Sequence, residues 1–116
     1  MVRKFLLLAF SLLANSAHAN YNSNLVGTVA GVLTYTDGTV LFVLANQPTA
    51  NGSCVAYYFE IDPPPTTASD AALGRMYARL AQAYATGESV NIGYDNGAGT
   101  APACGGYGYI KVWRVG

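Results

Sequence analysis

Charge is scarce in this chain. Six Lys and Arg, six Asp and Glu and one histidine in 116 residues leave no basic excess, so the electrostatic footprint of a nucleic-acid binder is missing. Long apolar runs are missing too. The longest, residues 5–13, is nine residues interrupted by Ser11, and a membrane-spanning helix needs about 20. Histidine occurs only at position 18 and cysteine only at 54 and 104, which is thin material for imidazole catalysis or a zinc site. No P-loop is present. Gly97-x-Gly99 and Gly105-Gly106-x-Gly108 are rich in glycine, but neither joins a strand to a helix, so phosphate or dinucleotide binding has no motif and no cofactor is expected.

The first 19 residues have the three parts of a secretory signal. Arg3 and Lys4 supply the positive start, residues 5–13 the apolar middle, and Ala17-His18-Ala19 the cleavage site. The expected product is a single domain of residues 20–116, exported to the periplasm or secreted, with no membrane span. Cleavage removes His18, Arg3 and Lys4, leaving four basic residues against six acidic ones, a net charge of −2. Bases built on imidazole are then excluded. The two cysteines of a small exported domain read as a disulfide, with free thiols or a metal pair as alternatives. Closing that loop stabilises by on the order of 4 kcal/mol in the chain-entropy model.

Periodicity divides the remainder into strands at 25–36, 39–45, 54–61, 88–95 and 106–115 and one helix over about 69–86. Asp37-Gly38 between the first two strands predicts a two-residue type I′ hairpin, and Gly27 and Gly31 suit a strand that bulges or coils. In the third strand Val55, Tyr57, Phe59 and Ile61 fall on one face. Leu73, Met76, Tyr77, Leu80 and Tyr84 form the apolar stripe of the helix, with Thr67 or Ser69 as its cap and Gly87 as its C′ residue. Arg75, Arg79 and Gln82 lie opposite. The fold class is mainly β with one α-helix: a five-stranded OB-fold-like barrel of order β-β-β-α-β-β with one disulfide. In that barrel strands three and five run parallel as neighbours, so Cys54 and Cys104, at or just before their starts, meet.

Aromatic content stands out on this low charge: nine Tyr, four Phe and Trp113. Tyr77, Tyr84 and one of Tyr57 or Tyr58 are expected in the core. In the last strand Tyr107, Tyr109, Lys111, Trp113 and Val115 share one side. Lysine does not sit easily inside a small barrel, so this side is expected to face outward, and its rings with polar tips suit stacking on sugars or packing on another protein. Glu60, Asp62, Glu88 and Asp95 are the carboxylates a glycosidase would need, but 97 residues offer little depth for its cleft. Asn51-Gly52-Ser53 matches a glycosylation sequon.

Three features together resemble a family. They are Gly27-Thr28-Val29-Ala30 in the opening strand, the helix-to-strand stretch Ala85-Thr86-Gly87-Glu88-Ser89-Val90-Asn91-Ile92-Gly93-Tyr94-Asp95, and the disulfide before the last strand. The chain resembles small secreted OB-fold proteins related to the B subunits of AB5 toxins, of the subtilase-cytotoxin binding-subunit type. The resemblance implies a homo-pentamer that binds cell-surface glycans on the barrel flank, with Tyr94 at a sugar-contacting position. Val26 stands where that family has a serine, and an apolar side chain cannot hydrogen-bond the carboxylate of a sialic acid. The expected function is a non-catalytic binding module for glycans, with Tyr94, Asp95, Tyr107, Tyr109 and Trp113 as candidate contacts. The rival is a monomeric periplasmic protein-interaction or inhibitor domain.

Overall fold

The structure is a computed structural model that describes residues 21–63 and 70–116. The signal segment and the helix-capping candidates Thr67 and Ser69 lie outside the described residues. Five strands, β1 (Ser23–Thr34), β2 (Val40–Leu44), β3 (Val55–Ile61), β4 (Ser89–Tyr94) and β5 (Tyr109–Val115), and one helix, α1 (Asp70–Thr86), follow the expected order. The strands close into a barrel in the order β1-β2-β3-β5-β4. All neighbours are antiparallel except β3 and β5, which run parallel. The parallel pair brings Cys54 and Cys104 together, and they form a disulfide with a Cα–Cα distance of 5.4 Å.

A barrel this small closes only if its strands bend, and irregular pairing supplies the bends. The long β1 pairs with β4 through residues 23–28 and with β2 from Val29 onward, with its register broken between Val29 and Gly31. Leu25 and Val29 pack on the core before the break and Val32 after it. Gly27 has a different purpose: a Cβ there would lie 2.0 Å from Asn46 Oδ1, whose amide donates to the Val26 carbonyl.

Two similar breaks correct the expected strand faces. In β3 the register against β5 shifts between Val55 and Phe59. Ala56, Phe59 and Ile61 join the core, while Val55 is 44% and Tyr57 75% exposed. In β5, Trp113 is the extra residue between the Arg114 and Val112 pairings, and Val115 therefore packs on the core instead of lying outside with Tyr109.

The β1–β2 turn also differs from expectation. Type I′ needs positive φ at both central residues, but among the described residues only glycines have positive φ, Gly38 among them at 93°. Tyr35 N–H donates to Thr39 and Gly38 N–H to the Tyr35 carbonyl, a three-residue loop ending in a glycine bulge. Asp37 Oδ1 accepts from Thr39 N–H at 2.9 Å and tightens it.

Phe42 and Phe59 stack at 5.3 Å in the barrel centre, each fully buried and worth about 1.5–3 kcal/mol of apolar burial. The helix packs on β1, β4 and β5. Its buried side chains are Leu80 and Ala83, with Leu73 and Met76 partly buried on the same stripe. Tyr77 and Tyr84 lie to one side of this stripe, 42% and 50% exposed, and are not core. The helix fully buries only Leu80 and the small Ala83 among its described residues, so the two rings flank this contact and do not fill it. Gly87 is the expected C′ residue, at φ 76° with its N–H on the Ala83 carbonyl.

Candidate functional site

Leu41 is the first sign of a second apolar layer. Its neighbours Val40 and Phe42 belong to the core cluster, and strand alternation turns Leu41 to the outside of the barrel. Yet it is only 1% exposed. Tyr35 of the β1–β2 loop, Tyr107 of the β4–β5 loop and Tyr109 of β5 surround it and line an open groove of about 380 Å³. The Tyr35 and Tyr107 rings are 5.7 Å apart, and the Tyr107 hydroxyl donates to Asp37 Oδ2, tying the two loops together. That bond holds the Asp37 carboxyl below its ordinary range and raises the Tyr107 hydroxyl above its own.

The groove continues along the same flank. Tyr58 meets Tyr109 edge to face at 5.3 Å and also lines a larger cavity of about 500 Å³ with Val43, Gln47, Pro48, Thr49, Ala56 and Tyr57. Gln47 fixes its rim, accepting from Leu44 N–H at 3.0 Å and donating to the Ala56 carbonyl at 3.0 Å. Among the described residues no charged side chain lines either cavity. The face therefore offers rings, aliphatic surface and hydroxyls, which suits stacking on an uncharged polar partner.

Beneath the tyrosines lies Glu60, which is fully buried. It pairs with Leu41 on one side and Lys111 on the other. Its carboxylate accepts from Tyr107 N–H at 3.0 and 3.1 Å and from Tyr109 N–H at 3.3 Å. Asp62 accepts from Gly106 N–H at 3.0 Å and faces Lys111 Nζ at 3.8 Å. Gly105 must be glycine here, since a Cβ would lie 2.4 Å from the Glu60 carboxyl carbon. Burial, and then the hydrogen bond and charge of Asp62, push the Glu60 carboxyl up to about 7.

Comparison with family models, curated proteins and solved structures finds no match to this chain.

The candidate residues do not all converge. Tyr107 and Tyr109 share the groove, and Trp113 lies further along β5, with Lys111 Nζ 4.6 Å from its ring centre. Tyr94 is elsewhere: it packs on the core with its ring 5.5 Å from Phe59. Val26 is 56% exposed and opposite Asn91, on the other side of the barrel wall from Tyr94. Asp95 is fully buried. Its Oδ1 accepts from Gly97 N–H at 2.8 Å and Gly99 N–H at 3.2 Å, which shapes the β4–β5 loop.

Other motif residues have structural duties. Asn51 of the sequon is buried and donates its Nδ2 to the Asp95 carbonyl at 2.9 Å. Arg79 pairs with Glu88 at 3.2 Å and donates to the Ser89 carbonyl. Tyr35 and Leu41 are not among the sequence candidates, and Tyr58, one of the two alternatives for a core ring, instead lines the larger cavity. Tyr35 follows the first strand directly before the turn, and that position beside Asp37 was the available signal.

Proposed function

We propose that the protein is an exported, non-catalytic binding module that takes glycans on the tyrosine-lined flank of β2, β3 and β5. The observation that carries this reading is the cover over Leu41: rings enclosing an apolar floor, with polar tips and no charge along the lining. Neutral sugars present apolar faces for stacking and hydroxyls for phenol groups, whereas an anionic glycan would find no basic side chain lining the groove among the described residues, Lys111 nearby being paired with Asp62. Val26 at the serine position of the resembled family points the same way. Glycan-array screening followed by calorimetry tests the reading. Neutral glycans bind, and Tyr107→Ala or Tyr109→Ala weakens binding about 3–10-fold, the equivalent of one lost ring contact of about 0.5–1.5 kcal/mol. Preference for sialylated glycans, or affinity unchanged in both variants, overturns it.

One observation favours a second reading, a protein-interaction or inhibitor domain. Tyr57 is 75% and adjacent Val55 44% exposed, more apolar surface than a small ligand needs. Light scattering separates the forms this surface allows. A pentamer fits the toxin-like reading and a monomer at high concentration fits the interaction domain.

A further inference from the structure

The β4–β5 loop lies over two carboxylates that share too little positive charge. Glu60 holds the loop through the N–H groups of Tyr107 and Tyr109, and Asp62 holds it through Gly106 N–H. Groups from several elements face Glu60. Its own strand leads into Asp62; β5 supplies Lys111 and Tyr109; the β4–β5 loop supplies Tyr107, bound in turn to Asp37 of the β1–β2 loop; and β2 supplies only Leu41. Lys111 is thus the one cation beside two carboxylates among the described residues. With one proton on the pair, the buried charges sum to zero. Without it, a second negative charge is left beside one lysine, and the one on Glu60 is fully buried.

We infer that Glu60 and Asp62 form a pH-dependent latch for the groove, in which one shared proton holds residues 105–109, and with them the Tyr107 wall, in the binding geometry. Loss of the proton from the Glu60 carboxyl to solvent strengthens its bonds to the Tyr107 and Tyr109 N–H groups, but it also leaves a buried charge repelling Asp62; burial and repulsion outweigh the amide bonds, and the loop tied to both acids loosens. This regulation rests on the groove being the binding site. The sign follows from linkage. Glu60 titrates near 7 in the folded protein against 4.5 for the free side chain, so the protonated form is favoured by folding. The resulting stabilisation is complete below 4.5, declines as pH rises, and is gone above 7.

Backbone NMR on the full chain across pH 5–9 tests the latch without any ligand. The amide signals of Gly106, Tyr107 and Tyr109 move together with a midpoint near 7. Opening of the Tyr107 amide, read by hydrogen exchange after correction for intrinsic rate, rises by up to about tenfold per pH unit towards 7 and then levels off. Glu60→Gln, which stays neutral, removes both effects. Asp62→Asn lowers the midpoint and serves if Glu60→Gln does not fold. Flat profiles in the wild type, or an unchanged midpoint in either variant, overturn the latch and leave the groove reading untouched. Intact titration with no glycan bound removes the groove reading and leaves the latch.

Discussion

At the scale of single residues, two glycines of the β4–β5 loop are each fixed by a buried acid. Gly105 is pressed against Glu60, and Gly99 lies where a Cβ would be 2.1 Å from Asp95 Oδ2. Both acids are buried and pinned by backbone N–H groups, so neither can step aside cheaply. Gly105→Ala and Gly99→Ala are each expected to destabilise by about 1–3 kcal/mol, measured as a lowered urea midpoint with unchanged slope. Gly105→Ala should also alter the Tyr107 environment, read by fluorescence or NMR, while Gly99→Ala should not. Little of this was legible beforehand. Glu60 has the sequence context of an ordinary outward strand residue, and its cover comes from a loop more than forty positions later, at Gly105 and Tyr107. Asp95 looked like an exposed acid beside a tyrosine for the same reason: the amides that enclose it belong to a loop whose path no local pattern specifies.

At the scale of elements, order was readable, but boundaries shifted, with the last strand starting at Tyr109 and leaving Tyr107 in the loop before it, and faces were not always as expected. The strands, the helix and the Gly87 stop follow from periodicity and from the need for positive φ at a C′ position. Gly87→Ala is expected to lower stability by roughly 1 kcal/mol, because alanine pays for the left-handed conformation without gaining a contact. Thermal melts of the variant against wild type check this. Arg79→Ala, by contrast, removes an ion pair whose glutamate is half exposed, and its effect should stay within about 1 kcal/mol and shrink in high salt. The misread faces of Tyr57 and Val115 both belong to breaks in register, Tyr57 within the one in β3 and Val115 past the one in β5. A bulge inverts the inside–outside alternation downstream of it, and where it falls is decided by how two distant strands meet, not by either strand's own sequence.

At the scale of the whole molecule, the disulfide fastens the parallel seam. Cys54 precedes β3 and Cys104 precedes β5, and β3–β5 is the barrel's one parallel contact. Replacing both cysteines by serine is expected to cost on the order of 4 kcal/mol, the loop-closure entropy of about fifty residues; denaturant unfolding with and without reductant measures it. The same tie borders the β4–β5 loop, so reduction should also increase exchange of the Tyr107 amide.

The amino-acid order by itself determined which segments become strands and helix, that strands three and five must start side by side, and that the last strand carries its aromatic rings outward. Each depends on local conformational preference or on the topology those preferences permit. Tertiary structure alone decided that Tyr107 and Tyr109 join Tyr35 over a buried Leu41, that Tyr94 turns inward to Phe59, and that Glu60 lies dry beneath the groove. Burial of this kind is a property of what covers a residue, and the cover here is folded over from remote parts of the chain.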